Sequence, residues 1–217
     1  MTTTDTPVEK LRVKSRHRVK TYGEVFTPAH MVNLMLDLVH EELEAGPRFV
    51  DRTFFEPAAG DGNFLVAILR RKLQALTAHY PRENWLTESL YALASIYGVE
   101  LLEDNHADAK DAMLEEFETF HTDHALSRAP TTGLMQAAAF LVDTNIVCGN
   151  TLTCLDRRGQ PIHLSWWNRI EGRPGLVVRE PFSLESLSGE DAFDFTVQER
   201  YKVCRIDEVH REVRADG

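Results

Sequence analysis

Cysteine is scarce. Three residues (Cys148, Cys154 and Cys204) in a chain of 217, with no framework spacing, exclude a disulfide-stapled scaffold and agree with a reducing compartment. No apolar run approaches the roughly 20 residues needed to cross a bilayer. The opening "MTTTDTPVEK" lacks the apolar segment of a signal peptide, so a cytoplasmic protein without membrane attachment is expected. No internal repeat or low-complexity block is visible. His121, Asp123 and His124 mimic a metal spacing, but no second ligand pair matches it and no metal is expected. The 43% of hydrophobic residues suffices for one core with a small appendage, not for two full-sized enzyme domains.

Positive charge is also in short supply, and it is unevenly placed. The net charge is −10, yet residues 1–20 hold six Lys/Arg against two acids, which leaves −14 on the remainder. Such an acidic body is not built to coat itself in nucleic acid, although a basic arm can still touch phosphates locally. In "KLRVKSRHRVK" a basic residue recurs at every second position from Lys10 to Lys20. A strand would gather these charges on one face and a helix would spread them. The arm is either a solvated tail or a segment laid along a phosphate backbone.

What is abundant is α/β patterning. Thr27 reads as an N-cap and Pro28 as a first helical residue, followed by Met31, Leu34, Met35, Leu38 and Val39 at helical spacing and a stop at Gly46-Pro47. "RTFFEP" is a short strand, and "GDGNFLVAILRRKLQALTAHY" leaves a glycine turn into a helix that ends at Pro81. "WLTESLYALAS" is a short helix, "IYGVEL" a second strand, "DNHADAKDAMLEEFETF" a helix, residues 121–133 loop, "LMQAAAFLV" helix and "NIVCGN" a third strand. Strand and helix alternating over about a hundred residues is the doubly wound pattern. Residues 161–182 read as a β-hairpin, with Trp166 and Trp167 on opposite faces, and residues 183–217 carry no assignment.

In an open parallel sheet, ligands sit beyond the carboxyl ends of the strands. Strand one delivers "EPAAGDGNF" there, strand two ends in Glu100, and strand three in Gly149-Asn150. A glycine turn, an acid suited to ribose hydroxyls and an amide able to read an adenine edge therefore follow in order. The phosphate fingerprints do not fit. "GDGNF" has no third glycine and no Lys-Ser/Thr, and Asp61 would repel a phosphate. An acidic turn suits a ligand with a positive centre, such as the sulfonium and ammonium of S-adenosylmethionine.

"GEVFTP" (Gly23 to Pro28), "EPAAGDGNFL" (Glu56 to Leu65), "YGVEL" (Tyr97 to Leu101) and "GN" (Gly149-Asn150) resemble, in order, the cofactor motifs of the N6-adenine DNA methyltransferases of restriction–modification systems. The family pattern for the second is close to D-P-A-C-G-S-G-N-F, from which Glu56, Ala59 and Asp61 depart. The resemblance implies a class I, Rossmann-like three-layer α/β fold with a partial sheet, and S-adenosylmethionine as cofactor. It implies that Thr27 and Pro28, next to Phe26, lie near the methionine end. Glu56, Pro57, Ala58, Gly60, Asp61, Gly62 and Asn63, followed by Phe64, would wrap the methionyl and ribose groups. Glu100, next to Leu101, would hold the ribose, and Asn150 the adenine. Read singly, Thr27-Pro28 is a helix cap, Glu100 a strand end and Asn150 a turn residue.

One family element is missing. The N-P-P-Y/F motif, whose side-chain and backbone acceptors and aromatic ring hold a flipped adenine in line with the methyl group, has no counterpart. The nearest match is "REPF", where Pro181 and Phe182 align but Arg179, which has no acceptor, stands first. The expected organisation is a basic arm (1–20), a cofactor-binding domain (21–155), and a hairpin with C-terminal extension (156–217) in place of the catalytic half. A strand-one edge left open implies self-association or a partner subunit. Two functions compete: a DNA adenine-N6 methyltransferase component completed by another chain, and a cofactor-binding module without catalysis. Methylation of a protein or RNA nitrogen is a third.

Overall fold

The computed structural model describes residues 14–46, 48–126, 132–187 and 201–215. Lys10 and Arg12 of the basic arm, and residues 188–200 within the unassigned stretch 183–217, lie outside them. Three parallel strands form the centre: β1 (Phe54–Glu56), β2 (Ile96–Glu100) and β3 (Ile146–Asn150). A two-residue strand, β4 (Leu155–Asp156), folds back antiparallel on β3, giving the order β1-β2-β3-β4. Helices α3 (Asn63–His79), α4 (Trp85–Ala94), α5 (Glu103–Asp123) and α6 (Thr132–Asn145) connect the strands.

Strand residues alternate between faces, and here the alternation separates two cores. Ile96 and Ile146 join the large cluster built by the helices, in which Leu65, Leu69, Leu73 and Leu76 form the buried stripe of α3. Each such leucine contributes about 1.5–3 kcal/mol of burial. Tyr97 and Val99 point the other way, into a smaller core with Ile162, Leu164, Phe182 and Leu184. The opposite face is therefore covered by the hairpin β5 (His163–Arg169) and β6 (Leu176–Ser183), with β7 (Cys204–Arg205) as a third strand. The hairpin forms a layer of its own and does not extend the parallel sheet. Among the described residues β1 has no partner on its outer side.

Several boundaries differ from the sequence reading. Helix α2 spans Ala29–Asp37; Pro28 is its cap residue, and no side chain caps it, so Thr27 is not the N-cap expected. The inward face is also different. Val32 and Leu36 are buried, whereas Met31, Leu34, Met35 and Leu38 are exposed, Leu38 by 85%. Both sets have helical spacing, and the one completed by Leu43 meets α3 and the core. Part of the basic arm is a helix, α1 (Arg16–Tyr22), capped by the Ser15 side chain. The expected loop at 121–133 is shortened from both sides by α5 and α6.

Buried polar groups hold the layers in register. Asn145 at the end of α6 donates to the carbonyls of Ala94 (2.9 Å) and Ile96 (3.3 Å) and accepts from Trp167 Nε1 (2.9 Å). Lys72 on α3 is fully buried, its ammonium donating to Val50 O, Arg52 O and Ser95 Oγ. Burial lowers its pKa to about 7, against an opposing pull from Asp51.

Candidate functional site

The carboxyl ends of β1, β2 and β3 open onto one cavity of about 480 Å³, well inside the roughly 300–1,000 Å³ typical of small-molecule sites. The turn after β1 contributes Pro57, Ala58 and Gly60; β2 contributes Glu100 and Leu101; β3 contributes Gly149 and Asn150. Residues 22–26 close another side.

Glu100 is buried to 7% exposure and organises the turn. One carboxylate oxygen accepts the Gly60 N–H (2.8 Å) and the other the Leu102 N–H (2.9 Å). Each oxygen can accept a second hydrogen bond, so two acceptor positions remain for a diol. The Asn150 side-chain oxygen accepts the Leu152 N–H (2.9 Å). Its Nδ2 hydrogens are then the part of the amide left to donate to a ring nitrogen. Thr151 Oγ1 donates to Pro57 O (2.6 Å), stitching the end of β3 to the turn after β1.

The two glycines of "GDG" do different work. Gly60 (φ 58°) gives its N–H to Glu100, and a Cβ there would stand 3.3 Å from the Phe26 ring, which helps line the cavity. Gly62 (φ 93°) starts α3, and a Cβ there would lie 2.9 Å from the Ala109 Cα and 3.1 Å from its Cβ. Its bareness serves the packing of the α3 start on α5. Gly62 is not among the residues that line the cavity.

The wall formed by residues 22–26 is strapped down by charge. Arg18 pairs with Glu24 and with Asp104 (2.5 Å), and donates to Asn105 Oδ1 (3.1 Å). Lys14 reaches Asp108 (2.5 Å) and Asp104 (3.3 Å). The Arg18 hydrogen bond holds the Asp104 carboxyl well below the usual carboxylate range. Two of the arm's basic residues are thus neutralised within the chain by the first turns of α5, while Arg16 and Lys20 stay exposed.

Of the residues expected at the site, Phe26, Pro57, Ala58, Gly60, Glu100, Leu101 and Asn150 line the cavity. Thr27, Pro28, Glu56, Asp61, Gly62, Asn63 and Phe64 do not. Glu56 accepts the Ala58 N–H (3.1 Å), and burial raises its pKa. Sequence reasoning missed Tyr22, Glu24 and Val25, although "GEVFTP" contained two of them, and Asn105 and Leu152, for which no sequence signal stood out.

Pro181 and Phe182, the two catalytic candidates, are not among the residues that line the cavity. They lie within β6, where Pro181 is opposite Ser165 and Phe182 is 4% exposed and stacked on Trp166. Arg179 is held by Ser165 Oγ (2.8 Å) and Glu212 beneath the ring of Tyr201. The strand ladder and these contacts use "REPF" for packing. Trp166 spends one face on Phe182 and meets the Tyr97 ring edge-on, and Trp167 is 9% exposed. His121 lies in the core with Nε2 3.1 Å from Ser89 Oγ, its pKa lowered to about 4 by burial. His124 Nδ1 bonds to the Phe120 carbonyl. Among the described residues no three His, Cys, Asp or Glu side chains converge as metal ligands, and no helix is long and apolar enough to cross a membrane.

Comparison with protein-family models, with curated proteins and with solved structures found no match to this chain.

Proposed function

We propose that the cavity beyond β1–β3 holds S-adenosylmethionine, and that the chain is the cofactor-holding component of a DNA adenine-N6 methyltransferase. One observation carries this reading: the glycine turn, the buried Glu100 and Asn150, from three successive parallel strands, meet on a single cavity of suitable size. Glu100 would accept the ribose hydroxyls through its remaining lone pairs, and Asn150 would donate to the adenine ring. Glu100 lines the cavity without a cationic partner, and no Lys or Arg is among the described lining residues, which favours a ligand with a positive centre over a phosphate. The resemblance of "GEVFTP", "EPAAGDGNFL", "YGVEL" and "GN" to the adenine-N6 family supports the same cofactor. When bound, that cofactor supplies the methyl group; this chain's residues bind and orient it.

No N-P-P-Y/F motif occurs in the chain, and "REPF" is spent on the hairpin. In this reading the residues that hold the acceptor adenine belong to another polypeptide, and the exposed Arg16 and Lys20 contribute weak contacts to DNA phosphates. The packing of Arg179 equally favours a second reading, a cofactor-binding regulatory or structural module that transfers no methyl group. Labelled S-adenosylmethionine incubated with the purified chain and mixed-sequence DNA, with cofactor binding recorded on the same sample, separates them. Binding without label in DNA, and label only after a second subunit is added, is expected. Absence of binding by folded protein refutes both readings.

A further inference from the structure

Helix α2 turns an apolar stripe to solvent. Met31, Leu34, Met35 and Leu38 are 47, 64, 51 and 85% exposed, at the i, i+3, i+4, i+7 spacing that gathers side chains on one helix face. The patch is on the order of 400 Å², within the roughly 300–600 Å² of the largest apolar patch on a typical monomer, a patch that is often functional.

From this stripe we infer that α2 is the contact surface for a second copy of this chain, packed antiparallel about a two-fold axis between Leu34 and Met35. The spacing is its own mirror under that operation. Met31 falls opposite Leu38 of the partner, and Leu34 opposite the partner's Met35, so every apolar residue of the stripe meets another. Methionine and leucine alternate along it, which lets flexible thioethers fill around branched side chains. Charge agrees with the antiparallel sense. The first turn of α2 carries no acid, whereas Glu41 and Glu42 follow its end, both exposed. The two-fold sets Glu41 and Glu42 of each copy against the positive helix start of the other. A parallel arrangement would instead bring the acidic ends together on a chain whose net charge is already −10.

Area sets the expected strength. Doubling the patch gives about 800 Å², below the roughly 1,200 Å² of stable interfaces, so the dimer must be weak and concentration-dependent. This inference goes beyond the cofactor reading and does not need it.

Sedimentation velocity on the full chain, from about 5 to about 200 µM, tests it in the weak range expected of a small interface. The wild type is expected to shift from monomer to dimer across that range, and Leu38→Glu and Met35→Glu are expected to stay monomeric with unchanged circular dichroism. Both positions are exposed in the single chain, so folding does not depend on them. Leu34→Cys should also cross-link to itself under mild oxidation, while Leu86→Cys, an exposed leucine away from the stripe, should not. A wild type that is monomeric at every concentration overturns the proposal and leaves the stripe to a different protein. A dimer that survives both glutamates overturns it as well, because the contact then lies elsewhere. S-adenosylmethionine binding recorded on the monomeric variants reports on the cofactor site separately.

Discussion

Replacing either glycine of "GDG" with alanine separates a packing role from a pocket role. At Gly62, φ is 93° and the added Cβ would stand 2.9 Å from the Ala109 Cα. A left-handed alanine costs about 1–2 kcal/mol, and forcing α3 and α5 apart adds about 1–3 kcal/mol, for a total of about 2–5 kcal/mol. Against a total stability of roughly 5–15 kcal/mol, that is a large loss. For a chain of this size it lowers Tm by about 4–20 °C. At Gly60, φ is 58° and the nearest neighbour is the Phe26 ring at 3.3 Å, a side chain that can tilt. Gly60→Ala therefore loses about 1–2 kcal/mol, or roughly 2–8 °C. Calorimetric melting of both variants beside the wild type, with cofactor titration of each, tests the contrast. Gly62→Ala should melt earlier than Gly60→Ala, yet, where folded, bind cofactor with nearly wild-type affinity; Gly60→Ala should lose less in melting temperature and bind more weakly. A Gly62→Ala protein that melts with the wild type would refute the packing argument.

Other perturbations have equally definite outcomes. Because burial lowers the Lys72 pKa to about 7 from its ordinary value near 10.5, the unfolded chain binds more protons than the folded one between those values, and stability should rise with pH there. Burial raises the pKa of Cys204 to about 11, which opposes the trend above pH 9, so urea midpoints at pH 7 and 9 are the clean comparison; Lys72→Met should flatten the rise. Asn145→Leu strands the Trp167 N–H and two carbonyls and should cost about 1–3 kcal/mol or more in urea unfolding. Arg18→Ala should unfasten α1, read as faster hydrogen exchange over residues 16–26 with little change in α3; unchanged exchange would mean the ion pairs do not hold the strap.

Much of the fold was legible because local pattern and long-range packing agree. The β1 turn into α3, the mostly apolar β2 and the alternating hairpin all carry signals that tertiary contacts reinforce. The face of α2 was not legible, since Met31, Leu34, Met35 and Leu38 follow helical spacing as well as Val32, Leu36 and Val39 do. Only contact with α3 decides between them. At the site, the strand ends gave Gly60, Glu100 and Asn150, but Glu24 and Asn105 arrive through the docking of α1 on α5. That docking depends on Arg18 meeting Asp104, 86 residues away, and nothing local announces it. The different duties of Gly60 and Gly62 were hidden for the same reason: Ala109 lies on a distant helix.

The measurement that bears most directly on the central claim is a calorimetric titration of the folded chain with S-adenosylmethionine, repeated on Glu100→Ala. One cofactor per chain is predicted for the wild type, with affinity in the variant weakened by about 1–3 kcal/mol, the worth of a charged hydrogen-bond acceptor. No binding by the folded wild type, or equal affinity in both proteins, would contradict the assignment of this cavity to that cofactor.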